Sequence, residues 1–357
     1  MFVRLLLLSI LFGMAGEAHA RGFWRELKNW VDSADIKGCD TTYLHLPKEG
    51  FIGYGNIFLT GTNLFLNYDQ GFTQRGTVNV SGALRTKLAT LLSAGVAYRG
   101  WGLSYSRDFS WHGDTEWAFC SYGQGYGLET RIHNSNSLSG NLDVEREGIA
   151  QDLEVDVKDC HQRTILGNLF YVFNREHFSL PAAMSHTIIQ TKSSGSWLVI
   201  VNYRHGRTTV DDEKLSFFIG SEVLDAGKTG NAKFRKLSQT QISVGGGYAY
   251  NHIFNRGRTL FHVSGMPMVS VWHRNRRYYD VRIWDSDSHL VEEQRRAVAI
   301  SQKISINGTI HSSLVQNFDK YVMGVMAMAN IDSFPEKEHF SLYTFDWSTR
   351  FFFGVRF

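Results

Sequence analysis

Five His-x-Ser pairs occur in the sequence: His133/Ser135, His177/Ser179, His262/Ser264, His311/Ser313 and His339/Ser341. Residues i and i+2 of a strand share a face. Each pair can therefore set an imidazole base beside a hydroxyl nucleophile, the two groups that acyl transfer needs. His311 and Ser313 are the best-placed pair, because alternation puts both on a polar face with Asn307 and Thr309. Polar strands produce such pairs without catalysis, so a plain polar lining competes with the catalytic reading. Asp285, Asp287 and Glu292, followed by Glu293, make a weak candidate cation site. They lack the glycine and the full spacing of a calcium loop, and a solvated acidic loop competes. A third candidate lies at 178–197. There Ser179-Leu-Pro-Ala-Ala breaks the alternation and predicts an inward bend or a short helix. Gln190, Lys192, Ser194 and Ser196 would then face a ligand; an ordinary connection between strands competes.

Other chemistry has no footing. The phosphate-loop, H-E-x-x-H and G-x-S-x-G motifs do not occur, and no cofactor is expected. Gly245-Gly246-Gly247 sits inside a strand pattern, where it marks a bend or close packing. The three cysteines, Cys39, Cys120 and Cys160, form no C-x-x-C. One disulfide with a leftover thiol and no disulfide at all both remain open. Net charge is +3 in 357 residues, without the clustered Lys/Arg face that nucleic acid demands.

The elements that would carry these residues read as one sheet. Aromatics reach 14% while only 4 residues are proline, a composition suited to a large hydrogen-bonded ladder. Mean hydropathy is −0.22, too polar for a bundle of membrane helices. The first residues give a basic start, an apolar run from Leu5 to Phe12 and Ala18-His19-Ala20. This is a secretory signal pattern over 1–20, with cleavage after Ala20. Residues 21–50 read as a periplasmic segment. Within it Phe23, Trp24, Leu27, Trp30 and Val31 form the stripe of a short amphipathic helix over 22–32.

From residue 51 to 357 the period is two. Phe345, Trp347, Phe351, Phe353, Val355 and Phe357 alternate with Asp346, Ser348, Arg350 and Arg356. Stretches 76–86, 241–251, 259–272 and 299–311 behave alike. Runs of about 9–13 residues match tilted strands crossing a bilayer rather than the shorter strands of a soluble sandwich, and aromatics gather toward the run ends. The prediction is an all-β, transmembrane antiparallel barrel of about twelve strands. Segments 140–162, 206–237 and 276–295 are long and charged, and are assigned as loops on the cell exterior. Arg85, Arg99, Lys303, Arg350 and Arg356, set against Glu116 and Asp346, either pair across the lumen or line a channel. The expected location is the bacterial outer membrane. The expected role is a narrow channel or an envelope binding or structural component. A soluble secreted β-protein is a third reading.

The last strand, with apolar residues at 351, 353 and 355 and ending in Phe357, resembles the terminal signal strand of bacterial outer-membrane barrels. That likeness implies the barrel-insertion machinery as a partner, beside outer-membrane lipid and lipopolysaccharide. A His-x-Ser pair in a barrel wall resembles the catalytic pair of outer-membrane lipid A deacylases. It implies, as the alternative function, an acyl hydrolase acting on lipid A or phospholipid; those enzymes work at the lipid-facing surface. A further set of residues is more particular: the aromatic run ending in Asn174, Phe178-Ser179, Pro181-Ala182-Ala183, Gln190 and Ser194-Gly195-Ser196-Trp197, with Tyr98-Arg99-Gly100, Gly102-Leu103 and Tyr105-Ser106. It resembles an uncharacterised Bacteroidetes outer-membrane β-barrel family, domain of unknown function 4421. The resemblance implies the barrel and brings no activity with it.

Overall fold

A computed structural model describes residues 38–69, 78–86, 88–109, 113–123, 125–136, 138–146, 149–157, 160–210, 229–255, 257–284, 290–300, 304–335 and 340–357. The signal segment with Ala20, the helix expected at 22–32, Asp285, Asp287, Lys303 and His339 lie outside them. The elements are β1 (Leu44–His45), β2 (Phe51–Asp69), β3 (Val78–Arg85), β4 (Ala89–Tyr98), β5 (Trp101–Asp108), β6 (Thr115–Tyr122), β7 (Tyr126–Ser135), β8 (Leu138–Arg146), β9 (Ile149–Val157), β10 (Cys160–Val172), α1 (Leu180–Met184), β11 (Ile189–Gln190), β12 (Ser194–Val210), β13 (Thr229–Phe254), β14 (Thr259–Trp284), β15 (Leu290–Ile300), β16 (Ile306–Asn317), β17 (Tyr321–Pro335) and β18 (Phe340–Arg356).

Strands β2, β4–β7, β10, β12–β14 and β16–β18 pair antiparallel with their neighbours, and β18 returns to β2 with Arg356 opposite Ile52 and Phe340 opposite Tyr68. The result is a closed barrel of 12 strands. Closure pairs each wall strand on both sides and leaves the barrel no open edge. Alternation sets the two faces. On β14, Phe261, Val263 and Val269 are exposed on the outside, while His262, Ser264, Met266 and Met268 are buried within. On β16, Ile306, Ile310 and Leu314 face out and Asn307, Thr309, His311 and Ser313 face in. From Ile306 to Leu314 that apolar outer face covers about 20 Å of barrel height at ordinary strand rise and tilt.

At the end that holds the chain terminus the connections are short, except for 173–193. Tyr98–Trp101 is a two-residue hairpin in which Arg99 and Gly100 have φ of 45° and 83°. Paired positive φ values match the twist of the flanking strands. A Cβ on Gly100 would fall 2.1 Å from the Tyr122 carbonyl oxygen, so glycine is required there twice over. At the far end lie the described parts of the charged segments 140–162, 206–237 and 276–295, and these parts are strands rather than irregular loops. Outer halves of β13 and β14 continue as a ribbon joined by β15, and the β8–β9 hairpin pairs with β3. The stretch 76–86 also corrects the sequence reading: its described part, β3, is not a wall strand of its own. β3 continues β4 outward along the upper half of β2, and β8 reaches it past the shorter β5–β6 hairpin. The carboxylate of Asp114 fixes that hairpin by accepting from the Asn136 N–H and the Ser135 hydroxyl.

The long connection at the terminal end folds into the barrel as a plug. Ser179 caps α1, its hydroxyl accepting from the Ala182 N–H, and Pro181 occupies the first turn, where its missing N–H costs nothing. His186 leaves the helix in the left-handed region, φ 58°. The alternation breaks at Ser179–Ala183 because this backbone meets the lumen from all sides. Phe178 and Leu180 pack with Phe170, Leu198, Ile200, Met266 and Met268. Ala182 and Ala183 pack with Ile52, Leu260, Val315, Val322 and Phe352. Half of the lumen is thus an apolar core. Gly247 lets β14 approach β13 closely at this level: a Cβ there would sit 1.9 Å from the Gly265 carbonyl oxygen. Outside the core, β1 pairs with β11, so the segment before β2 straps the plug from the terminal end.

Candidate functional site

The inward positions form three tiers. The lowest joins plug to wall. Asn251 donates through Nδ2 to the Ser179 carbonyl (2.9 Å) and to Gln190 Oε1 (2.7 Å). Its Oδ1 accepts from His262 Nδ1 at 2.7 Å, and His262 Nε2 lies 3.2 Å from the Ser264 hydroxyl. Because Asn251 Oδ1 can only accept, the imidazole proton sits on Nδ1, and Nε2 accepts from Ser264. On β16 the Ser313 hydroxyl donates to the Ala183 carbonyl and His311 Nε2 lies 3.1 Å from Thr309 Oγ1. Register sets His262 opposite Ser313 and Ser264 opposite His311. The His-x-Ser pairs therefore meet as a chequered square against the plug. In it His262 is hydrogen-bonded to a serine, while His311 and Ser313 spend their bonds elsewhere. All four are buried, Ser264 and Ser313 at 2% exposure.

Above the plug lies a polar tier. Glu129 accepts from the Tyr122 hydroxyl and, at 3.4 Å, from Asn168 Nδ2, which belongs to a chain continued by Asn202. Arg350 donates to Glu116 at 3.3 Å and lies 4.8 Å over the Phe58 ring. A cavity of about 80 Å³ opens between these groups and the plug residues Met184 and His186. Arg131 lines both this cavity and a second, of about 50 Å³, bounded by Glu116, His133 and Asp346. In the third tier Arg204 of β12 crosses the lumen to Asp332 of β17 and, at 2.6 Å, to Asp346 of β18. The pairing expected among lumen charges is present for Arg350 with Glu116. Asp346 pairs with Arg204, and Arg356 instead holds the Asn317 side chain and the His186 carbonyl.

The predicted ligand residues do not converge on a cavity. Gln190 Oε1 accepts from the Ser179 N–H and its Nε2 donates to the Lys192 carbonyl. Lys192 is outside, bonded to Thr42 and over the Tyr43 ring. Ser194 and Ser196 accept from the Asn174 side chain and N–H. Glu292 stands in β15 opposite Ile283, and among the described residues no cluster of three or more His, Cys, Asp or Glu could hold a metal. The three cysteines are free thiols. Tyr54, Glu129, Arg131, Arg204 and Asp332 were not singled out by sequence reasoning. Each sits in the inward phase of its strand, which was the available signal.

The model of a family described as a domain of unknown function, DUF4421, matches residues 40–357. The chain belongs to this family. No match comes from comparison with curated proteins. Among solved structures the chain is similar to the outer membrane protease OmpT from Escherichia coli, at 10% identity over 87% of this chain and 97% of that one, TM-score 0.39. It is similar also to the beta domain of the Bordetella autotransporter BrkA, at 10% identity over 87% and 100%, TM-score 0.34. A third is the outer membrane protein OprG from Pseudomonas aeruginosa, at 10% identity over 90% and 99%, TM-score 0.25. Within the DUF4421 domain, Asn174, Phe178-Ser179, Pro181-Ala182-Ala183, Gln190, Ser194 and Ser196, among the residues that carried the family resemblance, build and anchor the plug.

The plug contains a titratable contact. His186 stacks on Phe352 at 4.3 Å and 11°. Burial, reinforced by the neighbouring Arg356 and Arg350 charges, holds its imidazole down at about 3, against 6.5 in the unfolded chain. A depressed histidine stabilises the docked plug fully above about pH 6.5. That stability is lost as pH falls toward 3, by up to about tenfold in docking per pH unit. His262 and His311 face the same core, so the His186 share is isolated by His186→Asn, which tolerates the left-handed backbone. Protease cleavage within 174–193 should rise as pH falls from 6.5 to 4.5, and His186→Asn should flatten that rise. An unchanged slope would assign it to other groups.

Proposed function

We propose that the chain is an integral outer-membrane barrel whose lumen is closed toward the periplasm and serves to bind rather than to conduct. The plug carries this reading: apolar side chains of 173–193 pack into the terminal half of the lumen, and the cavity of about 80 Å³ lies against its Met184 and His186. Membrane insertion is supported by the wall itself. Exposed aliphatic residues cover the outside, and aromatic side chains such as Tyr171, Phe173, Trp197, Tyr248, Phe254 and Tyr321 ring its terminal end. In water such a surface would aggregate; in lipid it is solvated. Short turns lie on the periplasmic side of such barrels, which orients the plugged end inward and the charged ribbons outward, beside lipopolysaccharide. The outward-facing Phe351, Phe353 and Phe357 present the terminal strand to an insertion machinery.

The folded chain in a planar bilayer should show no steady conductance. Replacing 176–191 with a short Gly/Ser linker should produce stable ohmic channels. Steady single-channel current from the intact chain would overturn the closed-barrel reading. An acyl hydrolase needs its serine within reach of an acyl chain, and Ser264 and Ser313 lie inside the wall against the plug, so the binding reading is preferred.

A further inference from the structure

The cavity above the plug has a chemical polarity of its own. Its one carboxylate among the described residues is already engaged: Glu129 accepts from Tyr122 and Asn168. Its donors are not. Among the described residues, neither the Tyr54 hydroxyl nor the Arg131 guanidinium, both on the cavity wall, has a hydrogen-bond partner. Arg131 lies in electrostatic range of Glu129 without a bond to it. Arg350 spends Nη2 on Glu116 and keeps further N–H groups. Phe352 and Met184 contribute an apolar side.

Unspent donors around a half-apolar space select a ligand that brings acceptors. A carboxylate matches a guanidinium fork in geometry and charge. The second cavity shares Arg131 and lies on the side of Asp346 and the outer tier. We infer that this cavity binds a small organic carboxylate, with Arg131 and Tyr54 holding the carboxylate group and Phe352 and Met184 touching the apolar remainder. At about 80 Å³ the space suits a molecule of a few carbon atoms.

This site rests on the closed-barrel reading, yet its test does not use conductance. Butyrate, butylammonium and 1-butanol are titrated by calorimetry into the full chain folded in detergent micelles. Saturable butyrate binding is expected, with the other two at least about tenfold weaker. Arg131→Gln should weaken butyrate about tenfold or more, and the isosteric Tyr54→Phe about threefold to tenfold. Each variant is checked by the gel-mobility shift on heating that marks a folded barrel. Butyrate binding no better than butanol, or binding unchanged in folded Arg131→Gln, overturns the site. A sealed barrel that ignores butyrate would sink this inference alone; a conducting barrel that binds it would sink only the seal.

Discussion

Replacing Arg204 with methionine should destabilise the barrel by about 3–5 kcal/mol. The guanidinium is buried and reaches two carboxylates on strands across the lumen, Asp332 and Asp346. Asp346 has one further partner, the Thr62 hydroxyl at 2.6 Å. Removing the cation leaves the buried Asp332 and the half-buried Asp346 carboxylates close together, with one hydroxyl in partial compensation. The cost comes from that orphaned charge and not from the lost attraction alone, so neutralising the partners should recover much of it. The triple variant Arg204→Met, Asp332→Asn, Asp346→Asn is expected to regain at least half of the loss. Guanidinium unfolding in micelles, followed by the heat-dependent mobility shift, reads both changes. A single-variant loss under about 1 kcal/mol would mean that water, not the pair, carries the middle of the lumen.

This triad also marks how far the sequence could be read. Period-two alternation along β14, β16 and β18 assigned the correct face to almost every residue, because the two sides of the wall meet opposite surroundings. The C-terminal strand and the interruption at Ser179–Ala183 were legible for the same reason. Alternation assigns a face and no partner. Arg204 meets Asp332 and Asp346 across 128 and 142 positions of chain, and that pairing depends on strand number and stagger, which local pattern does not encode. The outer tier misled for a related reason. Residues 76–86 carry a wall-like alternation, yet they pair only with the upper half of β2 and with β8, so they lengthen a strand already counted. Gln190, Ser194 and Ser196 were read as facing a ligand. Their polarity serves the plug's own backbone, a use that a list of hydrogen-bonding residues cannot separate from a ligand's.

The plug's attachment should prove most sensitive at Asn251. Asn251→Asp keeps the volume and removes both donors. It sets a carboxylate oxygen against the Ser179 carbonyl and Gln190 Oε1, where an N–H had joined all three. Gln190 cannot readily turn its amide to compensate, since Oε1 also accepts from Ser179 N–H and Nε2 donates to Lys192. The Ser179 carbonyl, left without its donor, costs about 1–3 kcal/mol, and Gln190 Oε1, which keeps the Ser179 N–H, adds the repulsion of a facing carboxylate oxygen. Docking should weaken by about 2–4 kcal/mol, which is about 30- to 1,000-fold. The wall ladders are untouched, so the global unfolding midpoint should move far less than the plug. Hydrogen exchange separates the two: the Ala182 and Ser185 amides should lose protection by that factor, while amides of β17 and β18 keep theirs. Brief conductance bursts should accompany the exchange, because the apolar core that closes the lumen leaves with the helix. Plug amides as protected in Asn251→Asp as in the native chain would show that apolar packing alone holds the seal, and the hydrogen-bonded chain from Ser264 to Gln190 would then be a passenger.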